Sequence, residues 1–212
     1  MNIVFVKVGS KYAANHVNNL FESLQSYNSD YKYYCLTDNA VDLDQRITPV
    51  MLDSKLHLKG VWAKLFMFSP EFPVKGNILY FDIDTVIKDN PFTIDIDWDK
   101  LTVVDCHWKS SSIVRVHNYD VTINSSILAW NSNNLNIHNI WSKFNSQYRD
   151  YYLRKYVGID RFLVHEGFSD LFSYFPHSYI SSYKYFQQQA PVITFEEVHF
   201  ERADFIPVLK DY

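Results

Sequence analysis

The apolar run Ile3–Val8 breaks abruptly at Gly9-Ser10, and from Ala13 the apolar residues return at helical spacing, at Ala13, Val17, Leu20, Phe21 and Leu24. A period of two giving way to a period near 3.6 across a glycine is a strand, a tight turn and a helix. The same units recur. "YKYYCLTDN" reads as a second strand with a polar end, "DQRITPVML" as a short third, and "GVWAKLFMFSP" as a buried helix stopped before Pro70. "GNILYFDIDTVI" is then a strand opened by a Gly-Asn turn, and "KLTVVDC" and "DVTINSSILAWN" are two more. "NLNIHNIWSKFNSQYRDYY" spaces its apolar residues as one amphipathic helix, and "VGIDRFLVHEG" is a shorter helix closed by Gly167. Strands alternating with helices predict an α/β domain with a mostly parallel sheet. Such sheets bind ligands at the carboxyl ends of their strands, where Gly9, Asp38, Asp82 and Asp105 fall.

No linker, repeat or low-complexity tract divides the 212 residues, so residues 1–212 are read as a single domain. A net charge of −4 with no lysine or arginine block argues against nucleic acid as a partner. The two cysteines, Cys35 and Cys106, follow no zinc-binding spacing, and a reduced, cytoplasmic environment is expected. The opening "MNIVFVKVG" lacks the basic start and cleavage site of a signal peptide, and no run approaches the 18 apolar residues of a membrane span. There is no GxGxxG or GxxxxGK[ST] loop, so dinucleotide-binding and P-loop enzymes fit poorly.

The chemistry concentrates at Asp82-Ile83-Asp84, where two carboxylates follow the apolar run Ile78–Phe81. Like charges there repel unless a cation or a proton intervenes. The chain carries its own control in "TIDIDWDK", whose Asp95, Asp97 and Asp99 follow no apolar strand and read as an exposed loop. Three readings of the first pair stand: turn residues, a divalent-cation site, or a nucleophile. "FDIDTV" resembles the nucleophile motif of haloacid-dehalogenase-type phosphatases, with Asp82 attacking phosphorus, but that motif closes the first strand of its domain and needs a later acidic pair that this chain lacks.

A DxD between two apolar stretches also resembles the metal site of GT-A-fold glycosyltransferases, and this second resemblance covers nearly the whole chain. It is to the glycogenin and bacterial galactosyltransferase branch, and to the amino-terminal domains of multidomain glycosyltransferases of large chlorella viruses. It implies the GT-A fold and transfer of a sugar from a UDP-sugar with retention of configuration. The acceptor it implies is a glycan or glycoprotein, a viral capsid protein included, made in host cytoplasm by a domain cut from a longer polypeptide. "VKVGSKYAANHVNNLFESL" resembles the nucleotide-binding start, with Tyr12 against the uracil and the backbone of Val8 and Gly9 along the base. "VWAKLFMF" nominates Lys64 as a phosphate or sugar contact. "YFDIDTVI" supplies Asp82, Ile83 and Asp84 to the donor and its Mn²⁺ or Mg²⁺. "INSSILAWN" resembles the family's N-S-G strand, with Ser126 in place of glycine, and implies that Asn124 and Ser125 touch the donor sugar. "GIDRFL" resembles its D-Q motif with Arg161 for glutamine, and implies Asp160 as the carboxylate on the catalytic face. "EEVHFERADFIP" resembles the closing metal-binding segment, which implies His199 as third ligand, although that segment's glycine and lysine are absent. A non-catalytic nucleotide-sugar-binding module is the remaining alternative.

Overall fold

The structure, a computed structural model, describes residues 1–106, 121–182 and 192–194. Strand β1 (Asn2–Lys7) leads through Gly9 into helix α1 (Ala14–Gln25), as the change of period predicts. Gly9 sits at φ +83°, a region closed to most side chains, so the chain leaves the strand direction here on the one residue that bears it without strain. Strands β2 (Lys32–Thr37) and β3 (Ile47–Met51) follow, then a nine-residue 3₁₀ helix (Gly60–Phe68), β4 (Asn77–Phe81) and the two-residue β5 (Val86–Ile87). After β6 (Leu101–Asp105) and β7 (Ile123–Asn131) come helices α2 (Leu135–Phe144), α3 (Arg149–Lys155) and α4 (Ile159–His165). The described chain ends with β8 (Phe172–Tyr174), β9 (Ile180–Ser182) and β10 (Val192–Thr194).

Seven strands form one sheet in the order β3-β2-β1-β4-β7-β6-β8. It is mostly parallel, as expected; β7 alone runs against its neighbours β4 and β6. Alternation along each strand feeds two cores. Ile3, Phe5, Leu79, Phe81, Ile127 and Ala129 face α1, packing on Val17, Leu20, Phe21 and Leu24. Val4, Ile78, Tyr80, Leu128 and Trp130 face the other way, onto the 3₁₀ helix and α2–α4. The aromatics of that second side, Trp62, Phe144, Tyr152, Tyr156 and Phe162, pack on one another, Trp62 stacked on Phe144 and Phe162 edge-on to Phe144, Tyr152 and Tyr156.

Two helical expectations are corrected. The amphipathic stretch after Leu135 is two helices, because α2 ends at Asn145 and the chain turns at Ser146 before Arg149. A shared apolar face does not reveal such a break when no glycine or proline marks it. The "GVWAKLFMF" helix is 3₁₀ along its whole length, with six consecutive buried residues, Ala63–Phe68. From Ala63 on its side chains are enclosed all round, so this part shows no one-sided apolar pattern from which a helical period could be read. The "TIDIDWDK" control holds. Asp95, Asp97 and Asp99 are exposed on a segment with no strand, and Ile94, Ile96 and Trp98 rest on the α1-side core.

Candidate functional site

The carboxyl edge of the sheet carries a row of polar groups in strand order. Asp38 follows β2, Gly9 lies just past β1 and Asp82 follows β4; β7, running the other way, carries Asn124 and Ser125 in its first three residues; β6 ends at Asp105. At 4.7–4.9 Å between strands, this row is roughly 19 Å long. The Gly9 N–H donates to Asp38 Oδ2 at 2.9 Å, tying the first two strand ends together. At the far end His177 Nε2 lies 2.8 Å from Asp105 Oδ2.

Asp82 is the most heavily engaged of these groups. Its backbone N–H donates to Ser126 O at 2.7 Å, which fixes the strand end against β7. The Lys64 ammonium lies 2.7 Å from Oδ1 and 2.9 Å from Oδ2, and donates to the Ser125 carbonyl at 3.3 Å. Lys64 comes from the 3₁₀ helix, is only 6% exposed, and reaches the carboxylate across the ring of Tyr80. Tyr80 is buried two positions before Asp82, so both point to one sheet face, and the phenol O–H donates to Oδ1. Burial and the Asp82 charge push the Tyr80 hydroxyl well above its ordinary pKa, so it stays a donor. Nothing in the local pattern marks Tyr80 for this role, because it looks like any other strand residue.

Asp84 faces the other partner. The Tyr12 hydroxyl donates to its Oδ2 at 2.8 Å, joining the start of α1 to the DxD. Burial, and after it the Asp82 charge, push the Asp84 carboxyl up to about 7, against the pull of Lys64 and Lys11. Two carboxylates that feel each other's charge, one of them this reluctant to ionise, form an oxygen donor set suited to a hard divalent cation. Ile83, between them, is buried in the α1-side core and offers only its backbone. Among the described residues no three histidine, cysteine, aspartate or glutamate side chains cluster, and His199 lies outside the described residues.

Asn124 is turned inward: its Oδ1 accepts from the Ser126 N–H at 2.7 Å. This supports an irregularity where the β6–β7 register shifts between Val103 and Val104. That shift carries the carbonyls of Ser125 and Ser126 to Lys64 and to the Asp82 N–H. Asp160 sits in the first turn of α4, which packs on β7 and the 3₁₀ helix, with one carboxylate oxygen shut off from solvent. Val8, half-buried, leads to a cleft of about 960 Å³ lined by Lys7, Gly9, Tyr12, Asn18, Asp38 and Asp42, among others. Tyr12 thus borders the cleft with its ring and touches the DxD with its hydroxyl.

No protein-family model matches the sequence, and no curated protein does. Solved structures match the fold. The galactosyltransferase LgtC, in complex with donor and acceptor sugar analogues, superposes with a TM-score of 0.70 at 14% identity, over 100% of this chain and 96% of that one. A glycosyltransferase involved in glycosylation of the major capsid of PBCV-1 matches with a TM-score of 0.63 at 15% identity, over 100% of both chains. The glycosyltransferase GlyE of Streptococcus pneumoniae TIGR4 matches in its apo form with a TM-score of 0.63 at 17% identity, over 91% of this chain and 53% of that one. The fold is the GT-A glycosyltransferase fold. In that fold the DxD follows the fourth strand here, with two complete strand–helix or strand–strand units before it. Cys35 and Cys106 are both buried and not joined in a disulfide, and no described helix is long and apolar enough to cross a membrane.

Proposed function

We propose that this chain is a metal-dependent glycosyltransferase that moves a sugar from a UDP-sugar to a glycan or glycoprotein acceptor with retention of configuration. The observation that carries the reading is the DxD constellation itself: two close carboxylates at a strand end, one paired with Lys64 and the other with Tyr12, beside a cleft of nucleotide size. Asp82, Asp84 and His199 would hold Mn²⁺ or Mg²⁺, which supplies charge neutralisation to a departing diphosphate. The third ligand gains support from the second, three-stranded sheet. There β10 runs antiparallel to β5, with Val192 opposite Ile87 and Ile193 opposite Val86, so β10 heads toward Thr85 and Asp84. His199 follows Thr194 by five positions.

The chain's own residues position and polarise. Tyr12, Val8 and Gly9 border the nucleotide. Lys64 brings a fixed positive charge to the leaving-group side of the sugar, where a preorganised ammonium in a water-poor site stabilises developing negative charge. Asn124, Ser125 and Asp160 orient the sugar hydroxyls. The likeness to a capsid-glycosylating enzyme extends the proposal to a viral capsid protein as acceptor, with transfer in host cytoplasm. A phosphatase with Asp82 as nucleophile fits less well, because the DxD follows the fourth strand and not the first.

The test is release of UDP from a panel of UDP-sugars with MnCl₂, for wild type, Asp82→Asn and Asp84→Asn. Manganese-dependent turnover lost in both variants supports the reading. Turnover that survives EDTA and both substitutions sinks it, and phosphate release from simple phosphomonoesters, lost in Asp82→Asn, establishes the phosphatase instead.

A further inference from the structure

Lys7 is a charged residue that the chemistry above does not use. It closes β1, is 7% exposed, and lines the cleft beside Asp38, Asn39 and Asp42. Among the described residues its ammonium makes one hydrogen bond, to the Asn39 carbonyl at 3.2 Å. That carbonyl is shared with the Thr37 hydroxyl at 2.9 Å. An ammonium has three N–H donors and accepts nothing, so two donors remain for whatever enters the cleft. A buried cation left in that state costs stability, which a ligand acceptor restores.

The neighbouring wall has the opposite polarity. Asp38 Oδ2 takes the Gly9 N–H, while Oδ1 receives no hydrogen bond from another described residue. The side chain of Asn18 is occupied on both sides, donating to Asp42 O and accepting from the Asp44 N–H, each at 2.9 Å. The polar groups left to a ligand at this end include a donor, Lys7, and an acceptor, Asp38. The far end of the cleft is set by Tyr12, whose hydroxyl is on Asp84, so a diphosphate near the DxD leaves the base at the Lys7 end.

We propose that Lys7, with Asp38, determines the nucleotide base of the donor, selecting a base that presents a ring carbonyl next to a ring N–H. Uracil, thymine and guanine have that edge. Cytosine and adenine reverse it, with an amino group facing Lys7 and a bare ring nitrogen facing the Asp38 carboxylate. The first mismatch leaves the buried Lys7 ammonium unpaired, the situation in which sites discriminate most strongly, and the second sets a ring-nitrogen lone pair against the exposed Asp38 carboxylate. The assignment rests on the transferase reading above and names the side chains that read its nucleotide.

The experiment is calorimetric titration of UDP, CDP, GDP and ADP, each with Mn²⁺, into wild type, Lys7→Met, Lys7→Gln and Asp38→Asn, with circular dichroism to confirm folding. Wild type is expected to bind UDP at least tenfold tighter than CDP, and GDP tighter than ADP. Lys7→Met should lose UDP affinity and leave CDP nearly unchanged, bringing the ratio within about threefold of unity. Lys7→Gln, which keeps a donor, should recover part of the preference. Asp38→Asn, which can keep the Gly9 bond through its amide oxygen while gaining a donor, should move the preference toward CDP. If Lys7→Met does not fold, the Lys7→Gln and Asp38→Asn ratios decide alone. Unchanged UDP:CDP ratios overturn the proposal, as does an equal loss for all four nucleotides, which marks Lys7 as a general attractor of phosphate. Wild-type protein that binds none of the four overturns the transferase reading and this assignment together.

Discussion

Both oxygens and the backbone N–H of Asp82 are taken by Lys64, Tyr80 and Ser126, while the side chain stays 24% exposed. Lys64, at 7%, has almost no water to return to. Removing one partner of a buried pair leaves the other charge uncompensated. Lys64→Met is therefore expected to cost about 2 kcal/mol in urea unfolding, less than a fully buried pair because Asp82 is partly wet. The double variant Lys64→Met/Asp82→Asn should lose clearly less than the sum of the singles; strict additivity would mean the two side chains are not coupled. Gly9 makes a simpler case. At φ +83°, with nothing within 4 Å of where a Cβ would stand, Gly9→Ala meets no clash. Its cost is conformational, about 1–2 kcal/mol, and it should weaken nucleotide binding by disturbing the bond to Asp38.

At the scale of elements, β7 joins the parallel half of the sheet to the rest. Its irregular start depends on the Asn124 side chain, so Asn124→Ala should lower stability by about 1 kcal/mol. The same change should slow turnover more than it weakens UDP binding, since it is the Ser125 carbonyl and the Lys64 it holds that shift; an effect on KM alone would contradict this. On the opposite side, Glu166 gathers the helical layer. It accepts from the Tyr156 hydroxyl at 2.6 Å and pairs with Lys143 at 3.1 Å and Lys155 at 3.4 Å. Burial alone would raise its pKa, but the Tyr156 and Lys143 hydrogen bonds bring it below the usual range. A carboxylate depressed in the folded state stabilises above its unfolded value, near 4.3, and loses that contribution as pH falls through the folded value. Glu166→Gln should accordingly flatten the acid limb of the stability curve below about pH 4.3, measured by thermal melts across pH.

For the whole molecule, the proposed function makes the cleft and the DxD one ligand site, so UDP and Mn²⁺ should stabilise together. At about a hundred times Kd, a ligand adds roughly 2.7 kcal/mol, and at 2–4 °C per kcal/mol for a chain of this size the melt should rise by about 5–11 °C. EDTA should abolish the UDP effect. A nucleotide shift of equal size without metal would separate the two halves of the site.

The sheet, its mostly parallel character and the standing of the DxD at a strand end were legible in the residues, because apolar period and strand-ending carboxylates are local signals. "YFDIDTVI" differs from "TIDIDWDK" in the apolar strand before it, and the burial of the two follows that difference. What only the tertiary structure decided lies between elements distant in sequence. Lys64 meets Asp82, Tyr12 meets Asp84, Tyr80 turns out to be a carboxylate partner, and Lys7 becomes a buried donor in a cleft closed by β2. The break between α2 and α3, the 3₁₀ winding of Gly60–Phe68 and the return of β10 beside β5 belong to the same class. A sequence fixes which side chains prefer burial and at what period. Which buried donor finds which acceptor depends on packing across chain separations that no local pattern encodes.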